Sequence, residues 1–137
     1  MKSKGEEIKR LIPQRKPFIM VDEFEQHDDN TAATALIIKS SNYFLLPDDT
    51  LSETGVIEHV AQSCSALAGC RSTGETPPVG MIVEIKNCQF SRRPLSGERI
   101  ETLVTFGFSF GNMTLAHGVS SVGGSQIAEM DLKIFMR

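Results

Sequence analysis

Apolar residues recur at helical spacing in one long stretch of the chain. From about Ser52 to Ser72, steps of three and four residues separate Val56, Ile57, Val60, Ala61, Cys64, Leu67 and Ala68. This spacing predicts an α-helix with an apolar face. Asp49 or Ser52 is suited to cap its first turn, and Gly74 with the prolines at 77 and 78 ends it. Because the helix is mostly small and apolar, we expect it to be buried.

Alternation of apolar and polar residues, typical of β-strands, flanks this helix on both sides. Ahead of the helix we predict a short helical lead over 1–10, strands at 18–21 and 31–39 with a turn at 27–30, and a loop over 40–51. After the helix we predict strands at 80–90, 100–110, 113–119 and 128–136. We expect Phe108 and Phe110 to lie on the mostly apolar face of the strand at 100–110. The order predicts an α+β fold, a single domain over 1–137 in which an antiparallel sheet of about five to six strands wraps one long helix.

The predicted helix carries a narrow polar stripe on an apolar background. Glu58, Gln62 and Ser65 stand at i, i+4 and i+7, so they share one face. A buried polar stripe needs partners or a function, and we favour Glu58 as an acid–base group over an ordinary surface carboxylate near a helix N-terminus. His59 points about 100° away around the helix, so we expect it to pack or to lie at an interface rather than to pair with Glu58.

The overall composition is that of an ordinary soluble domain. The 137 residues are 40% hydrophobic and 23% charged, with a net charge of −3. Nothing global therefore points to nucleic acid or to an anionic membrane. No apolar run approaches the roughly 20 residues that span a bilayer, and no signal-peptide core follows Met1. We expect a cytoplasmic protein.

Cysteine and histidine are too scattered to predict a metal site. Cys64, Cys70 and Cys88 fit neither a disulfide framework nor metal-ligand spacing. We expect all three to be small buried residues in a reducing compartment, with a catalytic thiol as the lesser alternative. His27 lies in a polar turn and should be solvated, whereas His117 lies on a strand and should be half-buried with its hydrogen bonds satisfied. We expect no metal and no cofactor.

Three segments carry a resemblance to a known family. The sequence Leu-Ile-Pro-Gln-Arg-Lys-Pro-Phe-Ile-Met-Val-Asp at 11–22 is similar to L-[LI]-P-H-R-x-P-F-L-[LM]-V-D, with Gln14 in place of His. Glu-His-Val-Ala-Gln at 58–62 is similar to E-A-x-A-Q, and 90–100 is similar to F-[RK]-R-P-V-x-P-G-D-x-L with one extra residue. In this order they resemble the hot-dog-fold 3-hydroxyacyl-[acyl-carrier-protein] dehydratases. Residues 57–62 are also similar to a divergent branch of predicted dehydratases of aryl polyene or flexirubin-type pigment clusters.

The resemblance implies a fold, an activity and partners. It implies a sheet wrapped around one helix, paired protomers (a homodimer or higher oligomer, or a hot-dog heteromer) and active sites at the protomer interface. It implies dehydration of a 3-hydroxyacyl thioester of acyl carrier protein or coenzyme A, with Glu58 as the catalytic residue. We expect the substrate to contact Gly55, Gln62, Phe44, Pro17, Phe18 and Gly80. The early-helix amides around Gly55 would polarise the thioester carbonyl.

Three basic residues stand near the third motif. Arg92, Arg93 and Lys86 are suited to dock an acidic carrier or its phosphate. The alternative for these residues is ordinary surface charge around a turn, and the sequence leaves both open.

One departure from the family bears on the mechanism. Family enzymes carry a catalytic His in a G-H-F-P loop about 14 residues ahead of the helix Glu, but residues 41–49 contain no His and Phe44 stands near that position. Three hypotheses follow. The chain is a dehydratase in which a water or a group from another protomer replaces the His, a thioesterase that uses the helix Glu, or a non-catalytic partner of a catalytic hot-dog subunit.

Overall fold

One helix and seven strands make up the structure, a computed structural model that describes residues 1–74 and 76–137. In chain order the elements are β1 (Lys2–Lys4), a 3₁₀ segment (Gly5–Arg10), β2 (Glu23–Asp28), β3 (Thr31–Ile37), α1 (Glu53–Arg71), β4 (Gly80–Phe90), β5 (Arg99–Phe110), β6 (Met113–Val122) and β7 (Ser125–Met136). The predicted helix and the strands predicted at 31–39, 80–90, 100–110, 113–119 and 128–136 are confirmed. Strand β1, only three residues long, and strand β2 are additional strands. Within the described part of the chain, no helix has the length and apolar character to cross a membrane.

The strands form one antiparallel sheet in the order β1-β2-β3-β5-β6-β7-β4. Helix α1 packs on one face of this sheet and contacts β2 to β6. Strand β4 precedes β5 in the sequence but lies beyond β7, where it forms an edge of the sheet. The core between the two layers is built from fully buried apolar side chains: Val56, Val60, Cys64 and Leu67 of the helix, and Ile100, Val104, Met130 and Leu132 of the sheet.

Helix α1 is capped locally and approaches the sheet closely. Of the two predicted caps, Ser52 is the one used, because its Oγ accepts the Gly55 N–H at 3.0 Å. On the sheet side, a Cβ at Gly118 of β6 would lie 2.5 Å from Val60 Cγ1. Glycine at this position therefore lets the helix lie directly on β6.

The strand predicted at 18–21 is wrong. The first long strand begins at Glu23, and residues 18–21 are irregular. Their backbone groups bond to helix side chains instead of a neighbouring strand. Gln62 accepts the Met20 N–H at 2.6 Å and donates to the Phe18 carbonyl at 2.7 Å, while His59 Nδ1 lies 2.6 Å from the Met20 carbonyl. These bonds satisfy the backbone without a ladder.

The expected apolar face of β5 also ends early. A register shift lies between Phe106 and Ser109. Phe108 within the shift and Phe110 beyond it are 66% and 55% exposed rather than buried. Their rings instead lie 5.6 Å apart, centroid to centroid. The irregularity turns the tip of the β5–β6 hairpin away from the core.

The three cysteines differ in burial. Cys64 is buried in the core, where desolvation raises the pKa of its thiol to about 12. Cys70 is half-buried, but Cys88 is exposed, so the prediction that all three are buried is wrong for Cys88. Cys88 lies on the edge strand within a register shift between Lys86 and Gln89, which removes it from regular pairing.

Candidate active site

Glu58 is held by a buried glutamine one turn along the helix. Gln62 has no exposed surface, and its Nε2 donates to Glu58 Oε1 at 2.8 Å. The same amide is fixed by the Phe18 carbonyl and the Met20 N–H. Because these two bonds fix the amide, its third bond holds one carboxylate oxygen of Glu58 in a defined place. Gln62 thus bonds to Glu58, and the expected contact of Gln62 with substrate stays a prediction.

Glu58 lines a cavity between the helix and the β4–β7 edge of the sheet. The cavity has a volume of about 310 Å³. Its remaining lining residues come from the N-terminal segment, the helix and the two strands: Gln14, Ala61, Ser65, Gly80, Met81, Ile82, Ile134 and Met136. A Cβ at Gly80 would lie 2.8 Å from Met136 Sδ, so a side chain there would crowd this wall. Glu58 and Gly80 therefore line the same cavity, and their roles in catalysis and substrate contact stay predictions.

His59 is a buried structural residue. Its Nδ1 donates to the Met20 carbonyl, since a carbonyl only accepts, and its Nε2 therefore accepts from Thr102 Oγ1 at 2.8 Å. Ser120 Oγ lies 2.7 Å from that hydroxyl and completes the chain. Burial is the main reason that the pKa of His59 is lowered to about 4. The packing role expected for His59 is confirmed.

Four residues expected to contact substrate lie outside the Glu58 cavity: Pro17, Phe18, Phe44 and Gly55. Tyr43 stacks edge-to-face on both Phe18 and Phe44, with ring centroids 4.9 and 5.3 Å away. Gly55 lets Phe44 approach the helix, because a Cβ there would lie 2.7 Å from Phe44 Cβ. The Gly55 N–H, expected to polarise a carbonyl, is occupied by Ser52 Oγ. Substrate contact by these four residues stays a prediction.

The three basic residues proposed for carrier docking already have acidic partners. Arg92 forms a bidentate pair with Glu98 at 2.8 and 3.0 Å, and Arg93 pairs with Glu53 at 3.0 Å. Lys86 lies on β4, 3.6 Å from the Glu84 carboxylate. Exposed pairs of this kind contribute only about 0–1 kcal/mol, so a carrier carboxylate or phosphate can replace these partners. Carrier docking stays a prediction.

No histidine of the described residues faces Glu58. His27 lies on the surface beside Glu25, at 3.4 Å, and His59 is locked in the core. His117 lines a different cavity and sits half-buried with Nδ1 2.6 Å from Asp131 Oδ1, as predicted. The hydrogen bond to Asp131 raises the pKa of His117, against desolvation. Among the described residues that line the Glu58 cavity, Glu58 is the only one with a titratable side chain.

Two polar residues of this cavity escaped the sequence prediction as site residues. Gln14 stands where the resembling family has His, which was a usable signal. Ser65 belongs to the polar stripe on the helix, but the stripe alone does not show that it meets the cavity. The apolar wall gives no signal in the sequence, because strand alternation predicts burial and not the presence of a void.

Comparison with known proteins places the chain in a family. The model of the ApeP-like family, described as ApeP dehydratase, matches residues 6–136. The 3-hydroxyacyl-[acyl-carrier-protein] dehydratase FabZ of Sinorhizobium fredii is 32% identical over 133 residues, which cover 93% of this chain and 85% of the relative. The FabZ of Halalkalibacterium halodurans is 28% identical over 134 residues, covering 93% of this chain and 94% of the relative.

A solved structure supports the same placement at the level of fold. The dehydratase heterocomplex ApeI:P from Xenorhabdus doucetiae matches with a TM-score of 0.86 and 16% identity, covering 95% of this chain and 90% of the matched chain. The predicted hot-dog fold is thereby confirmed. With a family model over nearly its whole length and a relative above 30% identity, the chain belongs to the ApeP-like branch of the FabZ-type hot-dog dehydratases.

Proposed function

We propose that this chain takes part in dehydrating a 3-hydroxyacyl thioester, carried by acyl carrier protein, to the trans-2-enoyl thioester, with Glu58 as the acid–base group. In this reaction a proton leaves carbon 2 and the hydroxyl leaves carbon 3. A double bond forms between these carbons, and the proton and hydroxyl depart as water. The observation that carries the proposal is the Glu58 carboxylate, fixed by Gln62 at the wall of a mostly apolar cavity.

A carboxyl group suits either proton transfer in this reaction. As carboxylate it accepts the acidic proton next to the thioester carbonyl, and as carboxylic acid it protonates the departing hydroxyl. Gln62 donates to Oε1, so its amide favours one orientation of the carboxyl plane. The apolar side chains of Ile82, Ile134 and Met136 suit the cavity to an acyl chain.

The second acid–base group comes, in this proposal, from another chain. Edge strand β4 exposes Met81, Val83 and Ile85, which are 39–56% accessible in the protomer, and Val79 just before the strand is 49% accessible. An unpaired apolar edge is a site for strand pairing. Because Gly80, Met81 and Ile82 of this strand line the Glu58 cavity, a chain paired along β4 would cover that cavity. The similarity to a dehydratase heterocomplex supports a second, different hot-dog subunit as the partner.

The decisive experiment measures turnover of a 3-hydroxyacyl carrier thioester by enoyl absorbance, for the chain alone and with a second hot-dog dehydratase subunit. We expect Glu58→Gln to lower kcat/KM by at least about 100-fold. Glu6→Gln, a surface carboxylate paired with Lys9 at 2.9 Å, is the matched control and should change turnover by less than about twofold.

Other outcomes overturn the proposal in distinct ways. Full turnover by Glu58→Gln, alone and in the complex, removes Glu58 from the mechanism. Release of free thiol from a simple acyl thioester, without enoyl formation, makes the chain a thioesterase. Activity only in a complex that is insensitive to Glu58→Gln makes the chain a non-catalytic partner.

A further inference from the structure

Two buried polar atoms in the Glu58 cavity have no hydrogen-bond partner within the described chain. They are Ser65 Oγ and Gln14 Oε1, and both residues line this cavity. Ser65 is only 6% exposed. A buried hydroxyl without a partner destabilises a fold, so its presence calls for a reason.

A neighbouring serine, Ser63, shows that a buried serine hydroxyl on this helix can find hydrogen-bond partners. Ser63 is fully buried, donates to the His59 carbonyl at 2.7 Å and accepts from Thr34 Oγ1 at 2.6 Å. Ser65 has the same side chain on the same helix, yet its hydroxyl makes no such bond to the described residues. Alanine would fill the position and favour the helix more strongly. Packing therefore does not account for Ser65.

The spacing along the helix relates these groups to Glu58. Seven residues are about two turns, or roughly 10 Å along the axis, and Ala61 lines the cavity between Glu58 and Ser65. Glu58 thus lines the cavity at one level, and Ser65 and Gln14 line it elsewhere. The Ser65 and Gln14 oxygens are covered in this protomer, so a ligand reaches them once these side chains rotate. The other lining side chains are apolar.

We propose that Ser65 and Gln14 form a polar subsite that binds a neutral group able both to donate and to accept a hydrogen bond, carried by a thioester bound beside Glu58. The ligand donates to Gln14 Oε1 and accepts from the Ser65 hydroxyl. This inference deepens the proposed function and rests on a thioester occupying the Glu58 cavity. A charged group is excluded by the chemistry, because an ion would need an opposite charge at the same level.

Two parts of such a thioester carry this chemistry. One is a hydroxyl on the acyl chain, several bonds from the reacting carbons. The other is a secondary amide in the arm that bears the sulfur. Either part of the thioester can reach Ser65, which lies roughly 10 Å along the helix from Glu58. Matched ligands that carry only one of the two parts show which part Ser65 binds.

The test is equilibrium binding of thioesters that lack the 3-hydroxyl and so do not react, measured on the full-length chain and on its complex if turnover needs one. The ligands are an acyl-pantetheine, its ω-hydroxyacyl counterpart, and the same two acyl groups on a simple alkanethiol without amides. Ser65→Ala and Gln14→Leu are compared with wild type. Ser121→Ala, a serine of β6 that does not line the cavity, is the control.

The expected result is a loss of about five- to tenfold in affinity, the worth of one neutral hydrogen bond. It should appear in Ser65→Ala only for ligands that carry the recognised group. Loss confined to ω-hydroxyacyl ligands assigns the subsite to the acyl chain, and loss confined to pantetheine ligands assigns it to the carrier arm. The melting temperature of Ser65→Ala should not fall, which separates binding from folding.

Failure of the subsite and failure of the proposed function are distinguishable. Tight binding of all four ligands, unchanged by Ser65→Ala and Gln14→Leu, overturns the subsite and leaves the thioester site standing. Equal losses for ligands with and without the polar group reduce Ser65 to a packing residue. Absence of binding by every ligand overturns the thioester site and the subsite together.

Discussion

Acidification should destabilise this protein through His59, and the size of the loss follows from the burial of the ring. In the folded state the neutral ring donates from Nδ1 to the Met20 carbonyl and accepts at Nε2 from Thr102. Protonation would place a charge in the core and turn the accepting nitrogen into a donor. Desolvation accordingly lowers the pKa from 6.5 to about 4.

This pKa sets how the free energy of unfolding changes with pH. Between pH 6.5 and about 4 the unfolded chain binds a proton at His59 and the folded chain does not, so stability falls as the pH falls. With about 1.4 kcal/mol for each pKa unit, the loss from His59 approaches about 3 kcal/mol near pH 4. Above pH 6.5 both states are neutral at this residue and its contribution is constant.

Urea unfolding of wild type and His59→Gln from pH 7.5 to 4 isolates this contribution. Glutamine can donate to Met20 and accept from Thr102 but does not titrate, so the variant is less stable at neutral pH yet loses less stability on acidification. Carboxylates and His117 titrate in both proteins and cancel in the difference. Parallel stability curves for the two proteins would refute the assignment of the low pKa to His59.

Three further predictions concern packing and charge. Gly118→Ala should lower the free energy of unfolding by about 1–3 kcal/mol, because its Cβ would meet Val60 at 2.5 Å. Adding Val60→Ala should cost less than the sum of the two single changes, and strict additivity would contradict the contact. Ser63→Ala should cost about 1–3 kcal/mol in thermal or urea unfolding, since it leaves a buried threonine hydroxyl unpaired, and an unchanged stability would argue against that bond. Asp131→Asn should lower the raised pKa of His117, measured by NMR titration. Stability should change by less than about 1 kcal/mol, because the two half-buried side chains each keep 43% of their surface exposed. An unaltered pKa would remove Asp131 as the cause.

Hydrophobic spacing was enough to predict the helix and the four strands that follow it. Each of these elements repeats its pattern over many residues, and the helix bounds at 53 and 71 agree with the pattern to within one residue. Residues 18–21 show the limit of this approach. Their apolar run is typical of a strand, but Gln62 and His59 satisfy their backbone from more than 38 positions away. Local pattern carries no information about such long-range bonds.

The candidate site was predictable in its central residue and less so in its surroundings. Glu58 was identifiable because a carboxylate interrupts an apolar helix, and Gly80 followed from the resemblance. The cavity itself depends on how Ile134 and Met136 of the last strand meet the start of β4. That meeting is set by the register of two strands about 50 residues apart in the chain, which alternation within each strand does not determine.

Some polar residues of α1 have their hydrogen bonds satisfied by the protein, and others do not. This difference is the strongest reason to assign a function to one face of the helix. If burial of polar side chains served only the fold, each buried group would have found a partner, as Gln62, His59 and Ser63 have done. The hydroxyl of Ser65 makes no bond to the described residues, and Glu58 receives only the Gln62 amide from them. Both of these side chains line the same cavity. Stability explains the first group and leaves the second unexplained, and for this reason we propose a ligand for this face of the helix.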